Sequence, residues 1–282
     1  GASNASCTYT IQSSDGYGSK NYFGYIVDNH GFSSISNPIS GTFVIPIYGS
    51  QSGNGLTFKG NIKMKGNLTI AAWACGNTLT DSRDSQSYAT VKIGTQCWMA
   101  ANMNVGAMVD VAQDQADNGT IEKYCYDNST GNCTTYGGLY QWPEALQYNN
   151  GVTLTSGSPA GGNIRGICPI GWHIPNDTEF TTLSTYLGGD TVSGGHLKEA
   201  GTAHWTTPNT GADNSSGFTG LTTGRRNTSG GTDKLGEYGI YWSTLPQGAT
   251  AAYELLLRYN TATYLLNNDD RSLGGAVRCL KD

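Results

Sequence analysis

The chain has 282 residues, room for one large or two ordinary domains, which excludes a single small stapled domain. Charged residues make up only 13% against the ~25% usual in soluble domains, and 40 residues are glycine, so polarity rests on Asn, Thr, Ser and Tyr, the composition of exposed strands and tight turns. A net charge of -5 offers no basic field to nucleic acid, and no apolar run approaches the roughly 18 residues of a membrane helix.

In chain order, residues 22–27, 41–48, 56–64 and 68–74 are short apolar runs broken by Gly, Ser and Asn, spaced like the strands of a small β-sandwich, an immunoglobulin-like one among the options. The stretch 76–84 has no periodicity, so a β-rich N-terminal unit is placed at 1–80 and a second domain at 81–282. Residues 88–99 read as two alternating strands about a Gly94-Thr95 turn. One helix is expected after Gln141, with Pro143 at its first position. A second follows Asn176, where Glu179 completes a capping box and Phe180, Leu183 and Leu187 share one face. Strands return over 238–244, 252–260, 261–268 and 275–280. Along the second, Tyr253, Leu255, Leu257 and Tyr259 form a core-facing side, and Ala252, Glu254, Leu256 and Arg258 face outward. Two helices amid strands make the class α+β.

Seven cysteines lie far apart, with no zinc-ligand spacing, which favours disulfides in an oxidising compartment and an exported protein. Cys125 and Cys133 bracket a short polar loop and are expected to pair. Cys168 with Cys279 would tie the middle of the chain to its last strand, and Cys7 with Cys75 would close the N-terminal unit. Cys97 is left over as a buried, unreactive thiol.

Three strings carry a resemblance: residues 91–103 around Trp98, residues 136–142 from Tyr136-Gly-Gly to Trp142, and residues 167–180 with Cys168, Trp172, His173, Pro175 and Glu179. His204-Trp205, Gly217-Phe218, Tyr241-Trp242-Ser243 and Val277-Arg-Cys279 follow in order. Together they resemble the Fibrobacter succinogenes major paralogous domain over about residues 81–282. The resemblance implies a C-type-lectin-like fold, two helices around a twisted, mostly antiparallel sheet. It makes Trp98, Trp142, Trp172 and Trp242 core anchors.

The same fold serves the variable proteins of diversity-generating retroelements, their archaeal subclass included, and this chain is similar to them. The resemblance implies a rewritten region at about 238–279 in which Asn codons become any codon ending in a pyrimidine. Leu256, Arg258, Thr261, Thr263, Tyr264, Asp269, Asp270, Arg271 and Leu273 fit that alphabet, whereas Glu254 does not. With Tyr238, Ile240 and Ala252 they make up the expected ligand-binding surface. Its partner would be a protein or glycan on another cell or virus, met by an extracellular or surface-displayed, non-enzymatic receptor or adhesin. The sequence leaves the oligomeric state open.

Other chemistry is weaker. His173 and His204 read as packed imidazoles, no nucleophile elbow is present, and the paired cysteines of the formylglycine-generating enzymes have no counterpart. Asp269-Asp270 is the one candidate for a structural Ca²⁺, and solvated charges are the simpler reading. Arg225-Arg226 reads as pairing with backbone carbonyls rather than with an anionic ligand. No cofactor is expected. Two rivals stand beside the binding protein: a surface or filament subunit without a dedicated ligand, and a polysaccharide hydrolase using Glu144 and Glu179.

Overall fold

The computed structural model describes residues 7–11, 20–24, 57–58 and 74–282. The chain divides into two compact units, Gly1–Trp73 and Ala74–Asp282. In the first, β1 (Cys7–Ile11) pairs antiparallel with β2 (Lys20–Gly24) on one side and β3 (Thr57–Phe58) on the other. The expected strands at 41–48 and 68–73, and His30, lie outside the described residues.

The second unit mixes short antiparallel strands with few helices, an α+β arrangement. Its first strands are β4 (Leu79–Thr80), β5 (Ser87–Tyr88), β6 (Thr90–Ile93), β7 (Gln96–Met99), β8 (Ala107–Met108) and β9 (Glu122–Lys123). Then come α1 (Thr130–Tyr136), β10 (Tyr140–Gln141), α2 (Trp142–Ala145), β11 (Trp172–His173), α3 (Asp177–Tyr186) and α4 (Asp190–Leu197). The last strands are β12 (Arg225–Arg226), β13 (Thr232–Asp233), β14 (Tyr238–Gln247), β15 (Ala251–Arg258), β16 (Leu265–Asp270), β17 (Gly274–Gly275) and β18 (Leu280–Lys281). Three sheets position the site, ordered β11-β18-β7-β6, β10-β17-β12-β13 and β14-β15-β16.

Local chemistry accounts for the elements that sequence places correctly. Gly94 takes φ +60° at the first turn position, as a primed two-residue hairpin turn requires, and Val91 then faces Trp98 across β6-β7. At α3 the Asn176 Oδ1 accepts the Glu179 N–H at 3.1 Å while Glu179 Oε2 accepts the Asn176 N–H at 2.9 Å, so two orphan donors of the first turn are satisfied together. Phe180 and Leu183 of α3 are buried, Phe180 stacked on Trp98 at 5.5 Å.

Two helices exceed the expected pair among the described residues. The polar α1 is tied by its Cys133 to Cys125, two residues beyond the end of β9. Helix α4 carries Gly194 and Gly195 in its interior, ordinarily destabilising. A Cβ on Gly194 would meet the Thr263 carbonyl oxygen at 2.5 Å, and one on Gly195 the Gly211 oxygen at 2.3 Å, so the glycines are what let the backbone pack onto this helix. Residues 261–264, expected as strand, run as the loop that makes this contact: the Gly195 N–H donates to Ala262 O and the Tyr264 N–H to Asp190 O.

Three disulfides form among the described residues: Cys125–Cys133, Cys168–Cys279 and Cys75–Cys97. The first two are the expected pairs. The third corrects the other two expectations, since Cys75 bonds to Cys97 and not to Cys7, and Cys97 is no free thiol. Cys97 stands in β7 just after its hairpin turn, and its Cα lies 5.8 Å from that of Cys75, within the range a disulfide spans. Three bridges mark an oxidising compartment. Among the described residues no helix is long and apolar enough to cross a membrane.

Candidate ligand-binding face

Register sorts the residues of the C-terminal sheet onto two faces, because directly opposed residues of antiparallel strands share a side. Tyr241, Leu255 and Leu266 align on one face and Gly239 with Leu257 beside them; Tyr241, Leu255 and Leu257 are buried in the main core with Trp98, Phe218 and Tyr264. The opposite face carries four rows: Tyr238 with Arg258; Ile240, Leu256 and Leu265; Trp242, Glu254 and Asn267; and Ala252 with Asp269. Six of the expected site residues, Tyr238, Ile240, Ala252, Leu256, Arg258 and Asp269, thus fall on this one face.

The face is not open throughout. Ile240, Trp242, Ala252 and Glu254 are fully buried and Leu256 is 7% exposed, which corrects the expectation that the outward side of β15 meets solvent. Over Ile240 and Trp242 the cover is β17: a Cβ on Gly275 would lie 3.0 Å from Trp242 Nε1 and 3.1 Å from Ile240 Cγ2, so glycine lets this backbone lie close without displacing either side chain. What remains half-exposed is a rim of Tyr238, Arg258, Leu265, Asn267 and Asp269. Arg225 reaches over from β12, its Nε donating to Asp233 Oδ1 at 2.7 Å and Nη1 to Asp269 Oδ2 at 3.3 Å.

Under the rim, Glu254 Oε1 accepts from Asn267 Nδ2 at 3.1 Å, and its Oε2 has no partner. Burial, reinforced by the negative charge of Asp269 and opposed by Arg225, pushes this carboxyl up to about 8, so it is protonated at neutral pH. Lys198, buried entirely, donates from Nζ to Thr210 O, Arg258 O and Thr261 O at 2.9 Å each and pins the end of β15; burial lowers its ammonium to about 8. Nothing in the local sequence distinguishes Lys198 from a surface lysine, since its acceptors are backbone carbonyls.

The other expected site residues go elsewhere. Thr261 and Thr263 sit half-buried at the turn and hydrogen-bond each other at 2.9 Å. Asp270 is exposed and accepts from the Ser272 N–H and hydroxyl. A surface placement of Tyr264, Arg271 and Leu273 is corrected: they are 3%, 0% and 2% exposed. The Arg271 guanidinium lies 4.4 Å from the Trp142 ring and donates to the carbonyls of Thr153, Ser156, Gly248 and Ala251, a clamp on loops rather than a hand for a ligand. Arg226, also buried, donates to Val111 O and Ser272 O and pairs with Asp114 at 2.9 Å, so the carbonyl reading of this arginine holds.

Residues 91–281 match the model of the Fibrobacter succinogenes major domain. The chain belongs to the Fibrobacter succinogenes major domain family. No curated protein and no solved structure matches it. Within the family domain the tryptophans at 98, 142, 172, 205 and 242 are all buried, as anchors should be.

The groups weighed for catalysis are tied into structure. His173 is buried between Asp282 (Nδ1, 2.7 Å) and Glu179 (Nε2, 2.9 Å); burial alone would lower its pKa, but the two carboxylates outweigh it and push it up to about 9. Glu179 also closes the α3 cap. Glu144 is enclosed at the start of α2, its Oε1 accepting the Glu122 N–H at 2.9 Å and Gln147 Nε2 at 3.0 Å.

Substitution separates rim from core. Arg258→Ala should change the unfolding free energy by no more than ~0.5 kcal/mol. Tyr264→Ala should cost ~3–5 kcal/mol by leaving a cavity, whereas Tyr264→Phe should be neutral or stabilising, because the hydroxyl is buried without a partner. Urea unfolding of the three variants checks this, and equal losses at 258 and 264 would refute it.

Proposed function

We propose that residues 81–282 form a non-enzymatic binding module with a C-type-lectin-like scaffold, whose rim of Tyr238, Arg258, Leu265, Asn267 and Asp269 contacts a protein or glycan on another cell or virus. Extracellular or cell-surface display accords with the three disulfides. The observation that carries the reading is the single sheet face on which aromatic, aliphatic, amide and charged side chains collect above a fully packed support. That mixture is the one interfaces use, and a rigid support limits the entropic cost of binding. Arg258 adds a half-exposed guanidinium to this mixture.

Rewriting of the segment at about 238–279 by a diversity-generating retroelement would act on this rim while β17, Lys198 and the core stay fixed. Positions such as Arg258 and Asp269 can then change without loss of fold, whereas Tyr264, Arg271 and Leu273 tolerate little.

The test presents the domain to arrays of cell-surface proteins and glycans and repeats any positive with Tyr238→Ala and Arg258→Ala. The expected outcome is at least tenfold weaker binding by both variants at unchanged melting temperature; wild-type binding by both would overturn the site. A near-copy of the gene segment for 238–279, differing only at adenines and lying beside a reverse transcriptase, is the expected genomic sign. Its absence across a population would leave a fixed surface.

A further inference from the structure

A cavity of about 170 Å³ opens between β5, residues 100–104, the last turn of α1 and residues 219–221, and shares no residue with the rim described above. Its walls are held by structure already in place. The Cys125–Cys133 bridge pins α1, and the wholly buried Arg278 ties residues 99–102 to residues 218–219. Arg278 spends all five N–H donors within the chain: Nε and Nη2 on Asn102 Oδ1, Nη1 on Met99 O and Phe218 O, and Nη2 again on Thr219 O. No donor is left for an anionic ligand. Among the described residues that line the cavity there is no Asp, Glu, Lys or His, so nothing there favours a cation either.

What the lining offers is neutral and polar. The backbone of Asn104 is satisfied, its N–H donating to Tyr88 Oη at 3.1 Å and its carbonyl accepting from Gln86 Nε2 at 2.8 Å and from Lys123. Its side-chain Oδ1, by contrast, is shut off from water without a partner. Asn104 lines the cavity, and its amide carries both a donor and an acceptor. Thr134 and Thr135 donate their hydroxyls back to Thr130 O and Gly131 O, which leaves their oxygens as acceptors. The Tyr136 ring, set edge-on to His204 at 5.6 Å, and Leu221 add apolar surface.

We infer that this cavity binds a single neutral sugar ring. Hydroxyls that both donate and accept suit an amide and threonine oxygens, the apolar face of the ring suits Tyr136 and Leu221, and a volume below the ~300–1,000 Å³ of drug-sized pockets limits the ligand to one ring. The inference is independent of the C-terminal rim and stands if that reading fails.

The experiment is a titration of the full chain, followed by amide chemical shifts, with neutral hexoses and N-acetylhexosamines and with glucuronate, glucosamine and inorganic phosphate as charged probes. At least one neutral sugar should shift amides confined to residues 86–88, 100–104, 134–137 and 219–221, and charged probes should bind at least tenfold more weakly. Asn104→Ala removes a side chain without protein partners, and Thr135→Trp fills the mouth from an exposed helix position. Each should weaken binding at least tenfold at unchanged melting temperature. Failure of every neutral sugar to shift these amides, equal affinity for the charged probes, or wild-type affinity in both variants would overturn the inference.

Discussion

Replacing both Cys168 and Cys279 by alanine is expected to lower the unfolding free energy by ~4.8 kcal/mol, the largest loss among the three bridges. On the loop-entropy model the effect grows with the chain length enclosed. The sequence separations are 111 for Cys168–Cys279, 22 for Cys75–Cys97 and 8 for Cys125–Cys133, which rank the losses at ~4.8, ~3.4 and ~2.6 kcal/mol. The longest bridge also anchors a segment with little secondary structure of its own, between the two-residue strands β17 and β18. The two-residue β18 pairs with β11 and with Trp98 of β7, and the Met99 N–H donates to Cys279 O at 3.0 Å. If that segment frays, Arg278 loses a position that satisfies five carbonyl or amide contacts, and a buried guanidinium without them is strongly unfavourable. Urea unfolding of the three double-alanine variants measures the ranking. A loss for Cys125/Cys133 equal to that for Cys168/Cys279 would contradict it.

Local signals were legible and distant ones were not. The Gly94 turn, the Asn176-Glu179 capping box and the Cys125–Cys133 staple each reside within about ten residues, so their geometry is written in adjacent side chains. Helix α4 was hidden because its two interior glycines argue against a helix until Thr263 and Gly211 are seen against them. The covering of the candidate ligand-binding face was hidden for a related reason: Leu256 on an otherwise polar alternation signals a lid, but only Gly275 against Ile240 and Trp242 reveals that over β14 the lid is bare backbone. Buried cations were the least legible. Lys198, Arg271 and Arg278 all hold carbonyls remote in sequence, and a carbonyl has no residue identity to read. Within the face, period-two alternation placed Tyr238, Ala252, Leu256 and Arg258 together correctly, yet could not say which of them the rest of the fold would cover.

Stability is expected to fall as pH rises from 4.5 to 8, and two buried groups drive that fall; above 8 the depressed Lys198 ammonium acts with the opposite sign, because the unfolded chain then holds a proton that the folded one has released. Glu254 titrates near 4.5 when unfolded and about 8 when folded, so below 4.5 both states are protonated and the fold gives up nothing. Between these values the unfolded chain releases a proton that the folded chain retains; stability therefore declines with pH, by ~5 kcal/mol at the full extent, and levels off above 8. His173 has the same sign for a different reason. Its imidazolium, gripped by Asp282 and Glu179, is retained to about 9 against 6.5 unfolded, so its ~3 kcal/mol is fully present below 6.5 and lost as pH rises through 9. The groups separate by substitution. Glu254→Gln keeps the shape and an oxygen for Asn267 but has no proton to retain, so this variant should equal the wild type at pH 4.5 and exceed it by several kcal/mol at pH 8. His173→Gln should keep the decline below pH 6.5 and flatten it above 8. Urea midpoints at half-unit steps decide the matter: a Glu254→Gln variant that declines between pH 4.5 and 6.5 as steeply as the wild type would show that the burial of Glu254 does not set its protonation.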